Sequence, residues 1–260
     1  MWSYDANDGN GGYVWSDSVQ VCSELGANNG GNTSYFREPA YLSNSTYADE
    51  SSYNTIGLTQ AILQQEYNSM VESVATNGGF WVARYEITEN TSARITRWKT
   101  VASSGSWSLD GWYGLYYTCR EMYNSTSDSA QSIMITGSQY DQIMLWMKNV
   151  MNGSNRFILD STGKGNYSES FTVSGSNDNY AVNRVFDLAG NLVEWTSEAV
   201  STEYRYGRGG LCGRDGSVDP AARRLGAFPR DADGYVSSRP TLYVKSTKTV
   251  TLTALTNPNS

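Results

Sequence analysis

The pattern of apolar and polar positions is clearest in the first half of the chain. Apolar residues recur at helical spacing from Leu58 to Val74, and Asn77-Gly78-Gly79 follows as a helix stop. Residues 79–87 are rich in aromatic and β-branched types, which favours a strand, and 133–135 has the composition of a short buried strand. The pattern therefore predicts a helix that is followed directly by a strand.

Two further helices are predicted. One spans 109–122, with Ser108 or Asp110 as its N-cap. The other begins with Thr136 and Gln139, which stand at the spacing of a capping box. Its methionines indicate core packing rather than a cofactor site. The apolar face of this helix comprises Tyr140, Ile143, Met144, Met147, Val150 and Met151.

The rest of the chain is rich in loops. Residues 1–57 and 153–180 combine Gly, Asn and Ser with short apolar runs, which predicts turns and hairpins. Residues 204–239 mix small, aromatic and charged types without a helical or strand period. An aperiodic segment of that length inside a compact domain is usually functional or disordered. No repeat or linker divides the 260 residues, so we predict a single domain over 1–260.

The composition suits a loop-rich protein with polar and aromatic surfaces, because Gly (25) and Tyr (19) are abundant and charged residues make up only 17%. Tyr combined with Ser, Gly and Asn is also the chemistry of antibody binding loops. The net charge is −7, yet residues 204–244 hold seven of the 14 arginines and four of the 26 acidic residues. This basic segment could bind an anionic partner such as nucleic acid, or pair with acidic groups of its own protein.

The residue types that are rare or missing exclude several functions. The chain has no histidine, which is the usual general base and the commonest transition-metal ligand. Cys22, Cys119 and Cys212 stand far apart in no metal-binding spacing, and an odd number argues against a disulfide scaffold. No apolar run has the length of a membrane span, and the first residues lack the pattern of a signal peptide.

Two stretches resemble domains of the formylglycine-generating-enzyme type. Residues 78–88 (GGFWVARYEIT) are similar to the opening motif of that family, and 187–196 (DLAGNLVEWT) to its tryptophan-containing turn. Arg208-Gly209-Gly210 and Arg239-Pro240 match later landmarks in the same order. The resemblance implies an α+β fold of the C-type-lectin-like class, in which two helices flank a small twisted antiparallel sheet.

The resemblance also implies a possible structural calcium site. Family members that bind Ca²⁺ at this turn use residues that match Asp187, Gly190, Leu192 and Glu194. Carboxylate and backbone carbonyl oxygens are the hard ligands that suit Ca²⁺. The alternative is that Asp187 and Glu194 accept hydrogen bonds from backbone amides. No cofactor is expected to be required.

The catalytic branches of the family are not matched. The oxidase branch uses a pair of cysteines shortly after the Gly-Gly, whereas here Cys212 follows Gly210 without a partner cysteine. The iron-dependent sulfoxide-synthase branch needs histidines. The resemblance therefore implies a protein that is not an enzyme, with an oxidase that uses Cys212 as the alternative.

A third branch comprises the variable proteins of diversity-generating retroelements, which are ligand-binding proteins of phages and microbes. There, a segment between RGG-type and RP-type landmarks is mutated at template adenines, so that AAY codons become NNY codons. These never encode Lys, Glu, Gln, Met or Trp. Residues 204–244 contain none of the five types, although the chain holds 39 such residues. The chain resembles this branch, with 204–240 as the variable ligand-binding region.

Within that region we separate structural positions from contact positions. The positions expected to stay constant are Gly207, Arg208, Gly209, Gly210, Pro220, Ala221, Arg223, Arg239 and Pro240. The residues predicted to bind a ligand are Tyr204, Tyr206, Leu211, Cys212, Arg214, Asp215, Arg224, Leu225, Ala227, Phe228, Arg230, Asp231, Asp233 and Tyr235. Core packing is the alternative for Leu225 and Phe228. The expected partner is a protein or glycan on a host or neighbouring cell, and the resemblance implies a location on a virion tail tip or a cell surface.

Overall fold

A computed structural model describes residues 2–4, 13–15, 58–87, 111–125, 127–150, 156–199, 204–229 and 235–245. Predictions for Ser108, Asp110, Met151 and most of 1–57 lie outside these residues. The helices are α1 (Gln60–Asn77), α2 (Trp112–Glu121), α3 (Gly137–Val150) and α4 (Arg156–Leu159). The strands are β1 (Trp2–Tyr4), β2 (Tyr13–Trp15), β3 (Trp81–Val82), β4 (Ala130–Met134), β5 (Ala181–Val182), β6 (Val185–Phe186), β7 (Val193–Ala199), β8 (Arg205–Arg208), β9 (Arg224–Ala227), β10 (Val236–Ser238) and β11 (Pro240–Val244).

Helix α1 ends where the sequence predicts. At its start, the Oγ1 of Thr59 accepts a hydrogen bond from the N–H of Ile62 at 3.2 Å. At its end, Gly78 has a φ of 80° and its N–H donates to the carbonyl of Val74. Glycine adopts this left-handed conformation without steric cost, which explains the helix stop. The buried face of α1 packs on the strands through Tyr67 and Met70.

The capping box at the start of α3 is confirmed. The N–H of Gln139 donates to Thr136 Oγ1 at 3.1 Å, and the N–H of Thr136 donates to Gln139 Oε1 at 3.0 Å. Met144 and Met147 are fully buried, which confirms their place in the core. Helix α2 starts at Trp112, three residues later than predicted, because the backbone of Gly111 is extended and no side chain caps it.

Two sheets meet at Arg239. One has four strands in the order β10-β7-β8-β9, in which β10 runs parallel to β7 and the other pairs are antiparallel. The other has three antiparallel strands in the order β3-β11-β4. Arg239 is the residue between β10 and β11, so one short segment belongs to both sheets. The expectation of a purely antiparallel sheet is wrong for the β10–β7 pair.

The continuous strand predicted over 79–87 is also wrong. Only β3 lies in a sheet, and Ile87 forms a separate antiparallel bridge to Ser238. Between them the chain bends, and the carbonyl of Arg84 accepts a hydrogen bond from Phe186 at 2.9 Å. The backbone of this stretch therefore divides its hydrogen bonds among three strands, which local composition does not predict.

The core beneath the four-stranded sheet is aromatic. Trp195, which is 1% exposed, packs in one cluster with Trp112, Tyr116 and Met134. The rings of Trp112 and Tyr116 stack with centroids 4.8 Å apart. Trp195, the tryptophan of the motif at 187–196, is thus part of the core. The described residues thus form an α+β structure with small sheets and few helices, which agrees with a C-type-lectin-like fold at this coarse level.

Candidate ligand-binding surface

The turn before β7 has a backbone conformation that few residue types adopt easily. Gly190 and Asn191 have φ values of 71° and 60°, a left-handed conformation that glycine and asparagine tolerate best. A Cβ at Gly190 would lie 2.4 Å from the carbonyl oxygen of Asn166, so the two backbones approach too closely for any side chain. The side chain of Asn166 donates to Asn191 Oδ1 at 2.9 Å. The loop before β5 is therefore locked to the start of β7.

Arg239 ties this turn to both sheets. Its Nε lies 3.1 Å from both carboxylate oxygens of Glu194, and both side chains are fully buried. Its Nη1 and Nη2 donate at 2.8 Å to the carbonyls of Ala83 and Phe186. A guanidinium has five donors in a planar fork, so a single residue can bind a carboxylate and two carbonyls. This geometry explains why an arginine follows β10.

The same contacts do not fit a calcium ion at Asp187, Gly190, Leu192 and Glu194. The carboxylate of Glu194 binds the guanidinium of Arg239 where a cation would otherwise lie. Asp187 Oδ2 accepts from the hydroxyl of Ser174 at 2.7 Å and from the N–H of Gly175 at 3.1 Å. These contacts favour the alternative, in which both carboxylates bind groups of the protein itself.

A third carboxylate, that of Glu86, lies in the same buried region. Its oxygens accept from the side-chain amide of Asn191 and from the N–H of Leu192. Burial raises the pKa of Glu86 well above its usual value of 4.5, and the nearby carboxylates of Asp187 and Glu194 raise it further. The guanidinium of Arg239 and the hydrogen bond from Asn191 lower the pKa of Glu86, but burial is the largest effect.

A second buried ion network lies under β8 and β9. Asp141, on α3, binds two arginines: Oδ1 is 2.7 Å from Arg208 Nη2 and Oδ2 is 2.7 Å from Arg224 Nη2. Glu198, on β7, approaches the same pair at 3.9 Å from Arg208 Nη1 and 3.5 Å from Arg224 Nε. No side chain of this network is more than 6% exposed. Two positive and two negative charges therefore hold β8 and β9 onto the core.

The other arginines of the basic segment are also bound largely by the protein. The guanidinium of Arg205 lies 4.0 Å from the ring centroid of Trp112 and donates to the carbonyl of Ser197. Arg223, which is half-buried, forms an ion pair with Asp219. Arg214 is exposed, and Arg230 lies outside the described residues. This distribution favours internal pairing over a surface that binds nucleic acid or other anions.

The loop after β8 is fixed by the Arg-Gly-Gly landmark. Gly210 has a φ of 80°, and a Cβ there would lie 2.2 Å from the carbonyl oxygen of Asp219. Ala221 and Ala222 are fully buried in the core. Their neighbour Tyr140 donates from its hydroxyl to the carbonyl of Ala221 at 3.2 Å. The path of the chain from β8 to β9 is therefore set by backbone and small residues.

Apolar side chains stand on the outside of this buried frame. Leu225, in the middle of β9, is 41% exposed, and Tyr235, just before β10, is 44% exposed. The rings of Tyr204 and Phe228 stack with centroids 4.4 Å apart, and both residues are half-buried. Exposed apolar and aromatic residues supported by a rigid frame are typical of binding hot spots. We call Tyr204, Leu225 and Phe228, which stand in or next to β8 and β9, the aromatic surface; Tyr235 stands at the opposite edge of the sheet, next to β10.

Three residues predicted to bind a ligand are buried instead. Tyr206, Cys212 and Arg224 are 3%, 4% and 5% exposed, so their side chains offer almost no area for contact with a ligand, and their role in binding stays a prediction. Tyr206 stands in β8, whose four residues are all buried, and Arg224 binds Asp141. The remaining predicted positions are distributed as follows: Arg214 and Asp215 are exposed, Leu211 and Ala227 are half-buried, and Arg230, Asp231 and Asp233 lie outside the described residues.

The environment of Cys212 does not favour a nucleophile. The side chain is buried, and burial raises the pKa of its thiol, with the carboxylate of Glu86 raising it further. A reactive cysteine needs the opposite, an accessible thiol whose pKa is lowered by nearby positive charge. No second cysteine is close in sequence, since Cys119 stands in α2. The oxidase alternative therefore gains no support from this geometry.

Sequence reasoning missed three residues that shape the surface. Asp141 and Glu198 hold the arginines, and Phe171 contacts Tyr235 edge to face at 6.0 Å. Asp141 stands in a predicted helix and Glu198 two residues after the motif at 187–196, and neither position had a predicted partner. The excess of arginines over acids in 204–244 was the available signal, because buried arginines require carboxylates from elsewhere in the chain.

Comparisons with known proteins reveal a weak structural similarity and no family. No family model matches the chain, and no curated protein sequence matches it. Among solved structures it is similar to Treponema denticola variable protein 1, with a TM-score of 0.34 and 12% identity, over 45% of this chain and 48% of that one. The match thus spans about half of that protein. A similarity this weak shows neither family nor function.

The described part of the chain contains no helix that is long and apolar enough to cross a membrane.

Proposed function

We propose that this chain is a non-catalytic ligand-binding protein that displays a diversified surface on a rigid frame. The frame would be the formylglycine-generating type of C-type-lectin-like fold, and the display segment would be 204–240, as in variable proteins of diversity-generating retroelements. The expected ligand is a protein or glycan on a host or neighbouring cell. The protein itself would stand on a virion tail tip or a cell surface.

One observation supports the proposal: in this segment the buried side chains hold the strands in place, whereas other side chains are exposed and do not have that role. Arg208 and Arg224 hold the two strands through Asp141, and glycine sets the loop between them. Leu225 and Tyr235 project outward. Side chains that do not hold the core can change without unfolding the protein, and an ordered backbone loses less entropy when it binds.

The test compares tolerance to substitution at the two classes of position. Separate NNY codon libraries at Leu225, Phe228 and Tyr235, and at Arg208 and Arg224, would be displayed on yeast and scored for protease resistance. We expect most variants of the first three positions to stay folded and most variants of the two arginines to be cleaved. Equal intolerance at both classes would refute a displayed surface.

The coding DNA offers an independent check. The proposal expects a near-copy of the 204–244 coding segment that differs at adenines and lies beside a reverse transcriptase gene. A genome that encodes this chain without such a copy would remove diversification from the proposal but would leave ligand binding open to the library test.

A further inference from the structure

The outer strand of the four-stranded sheet has an open edge at its centre. Strand β9 (Arg224–Ala227) is the last strand in the order β10-β7-β8-β9. Leu225 and Gly226 are both exposed. The direction in which each backbone group points can be followed across the sheet, because residues of a strand direct their N–H and C=O alternately to one neighbour and the other.

The alternation leads from β10 to β9 in three steps. The N–H of Val193 donates to the carbonyl of Tyr235 at 3.0 Å, so Val193 faces the β10 side and Glu194 faces β8. Glu194 is opposite Arg208, so the N–H and C=O of Arg208 point to β7. The N–H and C=O of the preceding residue, Gly207, then point to β9. Gly207 is opposite Leu225, so the N–H and C=O of Leu225 face β8.

Gly226 must then direct its N–H and C=O away from the sheet. A separate contact agrees: the carbonyl of Tyr206, which is opposite Gly226, accepts from Thr196 Oγ1 on β7 at 3.0 Å and so points away from β9. Among the described residues, no backbone hydrogen bond joins Gly226 to a partner beyond β9. An exposed donor and acceptor pair in an extended strand is the template onto which another strand can be added.

We infer that the partner of this surface docks as an extended peptide segment that adds a strand to β9. The segment would exchange two backbone hydrogen bonds with Gly226 and place an apolar side chain against Leu225. The stacked rings of Tyr204 and Phe228, which adjoin the end of the β8–β9 ladder where Arg205 pairs with Ala227, would cover its next residue. Main-chain bonds supply affinity in this mode and side-chain pockets supply specificity.

This arrangement would suit a surface whose side chains are diversified, and it rests on the proposed function. Backbone hydrogen bonds at Gly226 do not depend on which residues stand at 225 or 228. A new set of side chains would then change the preferred peptide while the docking geometry stays the same. Globular or glycan ligands that bind only to side chains are the competing case.

The test uses linear random peptides displayed on phage, selected on the full chain and then synthesised. Gly226→Pro removes the outward N–H and leaves the bonds to β8 in place, since proline is tolerated on an edge strand where the N–H faces solvent. Gly226→Ala is the matched control because it retains the N–H. We expect Gly226→Pro to weaken binding about 10-fold or more and Gly226→Ala to leave it within about threefold.

A second measurement on the unchanged protein guards against misfolding of the proline variant. Peptides methylated at single backbone nitrogens should lose affinity at alternate positions, because only every second amide of an added strand faces β9. Losses that alternate would support strand addition even if Gly226→Pro failed to fold. Equal binding of all methylated peptides, or no selected peptide at all, would overturn it.

The outcomes separate the two proposals. If Leu225→Ser and Phe228→Ala weaken binding while Gly226→Pro does not, the aromatic surface binds ligands by side chains alone and strand addition is wrong. If none of these variants changes the binding of a selected peptide, both strand addition and the ligand-binding role of this surface are wrong.

Discussion

Asp141→Asn should be among the most destabilising single substitutions in the chain. The carboxylate binds Arg208 and Arg224 at 2.7 Å each, and the arginine side chains are 0% and 3% exposed. Replacing it with an amide leaves Glu198, at 3.9 and 3.5 Å, as the carboxylate that the described residues place beside the two buried guanidinium groups. Removing one partner of a buried ion pair typically costs about 3–5 kcal/mol, because an uncompensated charge stays in the interior.

That loss is large compared with the total stability. Folded domains are stable by about 5–15 kcal/mol, so the variant would lose a substantial part of its free energy of unfolding. For a chain of this size, about 3–5 kcal/mol corresponds to a decrease in Tm of roughly 6–20 °C. Urea unfolding followed by tryptophan fluorescence would measure the change, since Trp112 and Trp195 are buried in the adjoining core.

Two comparisons make the experiment specific. Asp178→Asn changes an exposed aspartate outside the network and should alter stability by less than about 0.5 kcal/mol. Asp141→Asn combined with Arg224→Leu restores the balance of one positive and one negative charge, so part of the loss should return. A decrease below about 1 kcal/mol for Asp141→Asn would refute the view that buried charge holds β8 and β9 in place.

Three further outcomes are expected. Burial, together with the nearby carboxylates of Asp187 and Glu194, raises the pKa of Glu86 above its usual 4.5, so the folded state retains a proton that the unfolded state releases above that pH. Stability should therefore fall as the pH rises above about 4.5, and Glu86→Gln should flatten this fall in Tm. Addition of a chelator should leave the Tm unchanged; a decrease of several degrees would restore the calcium hypothesis. Phe228→Ala should cost only about 1 kcal/mol in urea unfolding, against about 3–5 for Trp195→Ala, and a similar cost for both would place Phe228 in the core.

The features that the sequence predicts correctly are local ones. The capping box joins residues three apart, and the helix stop at Gly78 depends on one residue's φ. Both of these structures satisfy their own backbone groups within a few positions, so residue type and spacing are sufficient to predict them. The turn at Gly190-Asn191 differs, because its two N–H groups donate to the distant carbonyls of Gly209 and Asn166.

The interior of the display segment was decided by contacts that are distant in sequence. Arg224 looked like a surface residue, but its carboxylate partner is 83 residues away on α3, and that of Arg208 is 67 residues away. Tyr206 and Leu225 stand in strands of four residues, too short for alternation to be recognised in an aperiodic segment. Which side chains face inward there depends on the register of β8 between β7 and β9, and only tertiary packing sets that register.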